Sequence, residues 1–198
     1  MTMDWGFPDF DAHEGVHLFT DQVSGLHAVI AIHSTVLGPA MGGARFWHYA
    51  DARDAITDAL RLSRGMSYKN AMAGLALGGG KGVVLAPAPG ATIGEAQLKA
   101  FGRVVESLGG RYVTAEDVGM SVERMKVIAG ETRYVSGLPV ASGAAGGDPG
   151  PFTALGVYLS VKAAAKRGLG ASDMKGVRIA VQGVGSVGGG VARLLARD

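Results

Sequence analysis

An α/β protein in two parts is what these 198 residues predict, on three observations. Short β-rich runs alternate with segments whose apolar residues recur at helical spacing. A stretch of small residues and prolines at 141–151, ASGAAGGDPGP, separates a long N-terminal part, 1–145, from a short C-terminal part, 146–198. In the short part a strand-like run leads into a Gly-x-Gly-x-x-Gly turn and then a helix, the order in which a dinucleotide-binding βα unit is built.

The runs 16–20 (VHLFT) and 26–33 (LHAVIAIH) flank a turn-like stretch and predict an antiparallel hairpin. AMGGARFW then reads as a strand interrupted by Gly42 and Gly43, a pair that marks close backbone approach. Asp51 is placed as the N-cap of a helix, with Asp54 in its first turn complementing the helix dipole. Ile56, Ala59, Leu60, Ser63 and Met66 form the apolar stripe of that helix, and Lys69 lies at its C-terminal end. A short strand, 83–85, follows Lys81. Thr92 and Glu95 form a capping box for a helix that buries Leu98, Phe101, Val105 and Leu108 and stops at Gly109 and Gly110. Residues 111–119 (RYVTAEDVG) read as a strand running into a loop that carries Glu116 and Asp117. Open α/β sheets bind ligands at that end of a strand. A helix over 121–130, a strand-like 134–137 and a helix from 153 to 166 ended by Gly168 follow. The run 177–182 (VRIAVQ) is expected as a buried strand before the helix that begins near Gly189.

Composition narrows the function classes. Hydrophobic residues make up 47% and charged ones 18%, so charge-driven disorder is excluded. No apolar run reaches the length of a bilayer span, and no membrane partner is expected. A formal charge of +2 without a Lys/Arg cluster gives no nucleic-acid surface. Zero cysteines exclude disulfides, thiolate metal sites and cysteine nucleophiles. Of the five histidines only His13 and His17 have helix-compatible spacing, and no metal site is expected. The start MTMDWGFPDF lacks a basic segment followed by an apolar one, so a soluble, cytoplasmic location is expected.

The chemistry concentrates in GMSYKNAMAGLALGGGKG, 65–82, where Lys69 and Lys81 flank an apolar, glycine-rich segment. In a poorly hydrated pocket each ammonium disfavours the other's charge, and desolvation acts in the same direction. One lysine can then hold a substrate anion while the other serves as a base. Taken alone, GGGK reads equally as a simple turn with a solvated lysine, Asp117 as a cap or ion-pair partner, and Met41 and Met66 as core fillers. Gly183, Gly185 and Gly188 read either as a phosphate loop or as strand-to-helix packing.

Several segments in order carry a likeness: GPAMGGARFW, ALRLSRGMSYKNAMAGLALGGGKGVV, GRYVTAEDVGM, DPGPFTALGVYLSVKAA and IAVQGVGSVG. Together they resemble the Glu/Leu/Phe/Val amino-acid dehydrogenase family, leucine and phenylalanine dehydrogenases above all, over nearly the whole chain. The resemblance implies that 1–145 is an α/β substrate-binding and oligomerisation domain. It implies that 146–198 is a hinge helix and the first βα unit of an incomplete, truncated Rossmann domain.

The resemblance also assigns roles. Gly42, Gly43 and Lys69 would hold the substrate α-carboxylate, with Met66 lining the substrate side. Lys81 would be the general base that activates water, and Asp117 would shuttle protons at the amino group. Thr153 and the loop Gly183, Val184, Gly185, Ser186, Val187, Gly188 would face NAD. The implied reaction is oxidative deamination of an L-amino acid to a 2-oxo acid and ammonium by a homo-oligomer. Glutamate-selective relatives carry a lysine directly before the Gly-Gly pair, where this chain has Met41. A thioether leaves a side-chain carboxylate unpaired, so an apolar substrate of the leucine, valine or phenylalanine type is expected. The ribose-binding acid, expected about 20 residues after the glycine turn, falls beyond Asp198. An inert module for oligomerisation or amino-acid binding is therefore the second reading.

Overall fold

The computed structural model describes residues 4–139 and 146–198, which form two compact units, Met1–Ala145 and Gly146–Asp198. The first unit contains β1 (Gly15–Asp21), β2 (Leu26–Ser34), β3 (Ala40–Trp47), α1 (Ala52–Met72), β4 (Gly78–Leu85), α2 (Glu95–Ser107), β5 (Tyr112–Ala115) and α3 (Val122–Ala129). The second contains α4 (Gly150–Leu169) and α5 (Ser186–Leu195). Of the boundary expected at 141–151, residues 141–145 lie outside the described residues.

One five-stranded sheet, in the order β1-β2-β4-β3-β5, carries the first unit. The hairpin β1/β2 is antiparallel, as expected, and β2 pairs antiparallel with β4. β3 runs parallel to both β4 and β5. Alternation along β2 splits the core between the two faces. Ile30 and Ile32 join Phe46, Val84, Phe101, Val105, Tyr112 and Ile128 beneath α2 and α3, while Val29 and Ala31 join Val83, Ala55, Ala59 and Leu60 of α1.

Helix α1 begins as its sequence indicates: the Asp51 carboxylate accepts from Arg53 N at 2.8 Å, and Asp54 occupies the first turn. α2 starts at Glu95 with Gly94 as N-cap, not at Thr92. Gln97 Oε1 accepts from Gly94 N at 3.1 Å, so the returning side chain of the box is glutamine and the anticipated threonine stands outside it. Gly109 and Gly110 do end the helix, at φ +59° and +85°. α4 is longer than expected, because Pro149 and Pro151 suit its N-terminus and the left-handed cap is Gly170, not Gly168.

Two expectations fail for physical reasons. The central strand β4 spans eight residues, Gly78–Leu85, rather than the three-residue VVL. Glycine is a poor strand former by propensity, yet a Cβ at Gly78 would stand 1.9 Å from Ser34 O, and at Gly79 2.2 Å from Ser67 Oγ. These glycines let neighbouring backbone and α1 press onto the strand. Conversely, 177–182 forms no strand among the described residues. Val177, Ile179 and Val181 line a cavity against Ala192 and Leu195 of α5, but Ile179 is 38% exposed. A strand of a parallel sheet requires neighbours for its N–H and C=O groups, and the described residues of this unit supply none.

The N-terminal segment is clasped to α1 by His13. Its Nδ1 accepts from Asp11 N at 3.1 Å, while Nε2 lies 3.0 Å from both Leu60 O and Ser63 Oγ. A carbonyl only accepts, so the ring is the neutral Nε2–H form. Burial lowers its pKa below the usual histidine value, and the neighbouring ring of His33, 4.9 Å away, acts in the same sense. The folded state therefore binds fewer protons than the unfolded one, and stability present above about pH 6.5 is lost as pH falls through the folded midpoint. Urea midpoints at pH 7 and pH 5 are expected to differ less in His13→Gln than in wild type. An equal drop in both would remove His13 from that role.

Candidate active site

Lys81 places an ammonium on the central strand, 5% exposed, on the sheet face covered by α1. Its Nζ donates to Asp117 Oδ2 at 2.6 Å. Asp117 follows β5 in a loop laced to β3, where Phe46 N donates to Val118 O at 2.9 Å and Met120 N to Asp117 O at 2.8 Å. Gly119, at φ +74°, permits that loop to close over β3, since a Cβ there would stand 2.5 Å from Phe46 O.

A second cation shares the carboxylate. Arg45 Nε donates to Asp117 Oδ2 at 3.0 Å, and Arg45 Nη1 donates to Asp58 Oδ2 at 2.7 Å. Tyr49 Oη donates to the same Asp58 oxygen at 2.6 Å. Five side chains from β3, β4, α1 and the loops beside them thus form one continuous chain of charge-assisted bonds.

Desolvation sets the ionisation of Lys81: burial lowers its pKa, the bond and charge of Asp117 oppose that, and Arg45 adds to the lowering. Burial would raise Asp117, but the bonds and charges of Lys81 and Arg45 overcome it and hold the carboxyl below its usual range. The lowering of Lys81 makes its neutral amine accessible at a lower pH than that of a solvated lysine, while Asp117 stays ionised.

The glycine pair lies beside this cluster. β3 is continuous rather than interrupted, but its pairing with β4 skips Gly42 and Gly43 while its pairing with β5 runs through both. A Cβ at Gly42 would lie 1.8 Å from Gly80 O and 3.1 Å from Met66 Cγ, and at Gly43 2.3 Å from Glu116 O and 2.9 Å from Asp117 Cβ. Gly42 is thereby placed against Met66, and Gly43 against Asp117. The buried Tyr112 hydroxyl donates to Gly42 O at 2.7 Å and fixes that carbonyl. Met41 precedes them on β3, half-buried.

Lys69 departs from the expectation of two lysines in a common apolar setting. It is exposed in the last turn of α1, one turn beyond Met66, and the cation that acts on Lys81 is Arg45. A helix terminus leaves a long side chain in water, whereas a central strand beneath a helix does not. Arg45, Asp58 and Tyr49 were missed. The available signal was the period of two along β3, which puts Arg45 two residues after Gly43 on one face.

In the second unit, Thr153 is exposed in the first turn of α4, its Oγ1 donating to Pro149 O at 2.9 Å. Gly183 has φ +81°, and a Cβ at Gly188 would stand 2.0 Å from Gly183 O. Gly185 is the N-cap of α5, with no side-chain cap and no heavy atom within 4 Å of a would-be Cβ. Val184, Ser186 and Val187 complete this turn. Gly190 lets α5 approach α4, since a Cβ there would stand 2.7 Å from Ala154 Cβ.

Comparison with known proteins identifies the family of the chain. Residues 12–134 match the family described as Glu/Leu/Phe/Val dehydrogenase, dimerisation domain. The chain is 54% identical over 175 residues to leucine dehydrogenase of Bacillus subtilis (strain 168), covering 88% of this chain and 48% of that protein. It is 50% identical over 190 residues to valine dehydrogenase of Streptomyces virginiae, covering 96% and 52%. The crystal structure of L-tryptophan dehydrogenase from Nostoc punctiforme is similar at TM-score 0.67 and 40% identity, over 94% of this chain and 51% of that one. The chain thus spans about half the length of these relatives. It is a member of the Glu/Leu/Phe/Val dehydrogenase family.

Proposed function

We propose that the protein carrying this chain catalyses NAD-dependent oxidative deamination of an apolar L-amino acid, with Lys81 as general base. The observation that supports it is the buried ammonium of Lys81 held 2.6 Å from Asp117, beside a glycine pair, in a chain half identical to leucine and valine dehydrogenases. Gly42, Gly43 and Lys69 bind the α-carboxylate, the glycines by admitting it close to the strand and Lys69 as an exposed cation, and Met41 and Met66 meet the substrate side chain. A thioether there favours leucine, valine or phenylalanine over glutamate.

The turn at 183–188 fits a dinucleotide: Gly185 leaves open space at an uncapped helix N-terminus, where N–H groups attract phosphate. Gly183, Val184, Gly185, Ser186, Val187 and Gly188, with Thr153, would hold NAD. The chemistry NAD supplies when bound is acceptance of a hydride from the substrate Cα. Lys81, deprotonated, takes a proton from water as the water oxygen adds to the imine carbon. Asp117 receives a proton from the substrate nitrogen and returns it, so that ammonium leaves and a 2-oxo acid remains. We further propose that Met1–Ala145 is the substrate and oligomerisation domain, Gly146–Asp198 the hinge helix and start of a Rossmann domain, and the working form a cytoplasmic homo-oligomer.

The test is NADH formation by the gene product with leucine, valine, phenylalanine and glutamate. Turnover with the apolar substrates well above glutamate is expected. Amino-acid binding without any turnover would leave the reading of an inert binding module.

A further inference from the structure

We propose that Arg45 is a positioning residue of this site, a guanidinium that fixes the Asp117 carboxylate through Nε and is itself fixed through Nη1 by Asp58 and, behind it, Tyr49. The inference rests on the dehydrogenase reading for its catalytic meaning, but its geometry stands alone. Asp117 Oδ2 accepts from Lys81 at 2.6 Å and from Arg45 at 3.0 Å, so one oxygen is shared between two cations that approach it from adjacent strands. Without the second donor, the carboxylate would be free to turn about its own bonds and follow Lys81 alone.

The fork geometry explains why arginine stands here. Nε and Nη1 point at two carboxylates in fixed directions, which an ammonium on a flexible stem cannot reproduce. Arg45 therefore ties the loop after β5 to helix α1. It also keeps a permanent positive charge near Lys81 that water removes poorly, because Arg45 and Asp117 are both about one-quarter exposed. Like charge disfavours the ammonium of Lys81, and Asp58, of opposite sign, favours it. The groups that face Lys81 are thus Asp117 from the loop after β5, Arg45 from β3, and Asp58 from α1, with Tyr49 behind Asp58. Asp58 borders a cavity of about 300 Å³ with Trp47, Thr57 and Arg61, so its substitution meets open space rather than core.

The two substitutions move Lys81 in opposite directions. Arg45→Gln removes the like charge and leaves Asp117 wholly to Lys81, so the Lys81 midpoint rises by about one pH unit, tenfold in proton affinity. Asp58→Asn removes the favouring charge and keeps Arg45, so the midpoint falls. The probe is ¹³Cε-lysine NMR titration of the folded 198-residue chain, with the Lys81 signal assigned by its loss in Lys81→Arg. A purely structural role would loosen packing and hydrate Lys81 in both variants, raising the midpoint in both. That outcome, or no shift in Arg45→Gln, overturns the proposal. Should Arg45→Gln fail to fold, a rise in Asp58→Asn alone overturns it and a fall supports it. In the active protein the pH at which kcat/KM rises shifts with the NMR midpoint. Opposed NMR shifts in a protein without turnover would sustain Arg45's role and defeat the dehydrogenase reading.

Discussion

Replacing Lys81 by alanine is expected to lower leucine-dependent NADH formation about 10²- to 10⁴-fold, the usual worth of a positioned general base. The fold is expected to survive. Lys81 is a buried charge whose desolvation is unfavourable, and its removal leaves Asp117 still bonded to Arg45 at 3.0 Å, not orphaned. The wild-type rate should rise with pH through the Lys81 midpoint, because the neutral amine is the base, and burial sets that midpoint below the ordinary lysine value. In Lys81→Ala that limb should vanish, leaving a rate that no longer follows lysine ionisation. Thermal unfolding and a pH–rate profile on the same preparations test both halves. Unchanged turnover in a folded variant would refute the base assignment.

How far the sequence reached can be traced through particular residues. The hairpin, the Asp51 cap, the stop at Gly109 and Gly110, and the acid after β5 were legible because each rests on local chemistry: alternation, a capping side chain, a left-handed turn. The extent of β4 was not, because what makes Gly78, Gly79, Gly80 and Gly82 a strand is the pressure of Ser34, Ser67, Tyr112 and Phe101, none near them in sequence. Lys81 is buried, as an ammonium set among apolar residues suggests, but the cation beside it is Arg45 rather than Lys69. Sequence proximity favoured Lys69, while the pairing of β3 with β4 brings up Arg45 from 36 positions upstream. The strand expected at 177–182 failed in the opposite way: its local pattern is sound, and the ladder a strand needs is not local.

Gly42 joins fold and site, and Gly42→Ala is expected to damage both. The added methyl would fall 1.8 Å from Gly80 O, a backbone atom of the central strand that cannot swing aside as a side chain would. Relief requires β3 to move off β4, which disturbs the carbonyl that Tyr112 holds at 2.7 Å and carries Gly43 away from Asp117. Overpacking of this kind costs about 1–3 kcal/mol. Gly65→Ala supplies the contrast within the same helix-and-strand layer: Gly65 is exposed in the interior of α1, with nothing within 4 Å of a would-be Cβ. There the methyl improves helix propensity and is expected to stabilise by about 0.4–1 kcal/mol. Urea unfolding should therefore move in opposite directions for two Gly→Ala changes, and amino-acid affinity should fall only in Gly42→Ala. Equal stability of Gly42→Ala and wild type would mean that the two strands can part freely at this point, and the close backbone contact would then not be what selects glycine beside Lys81.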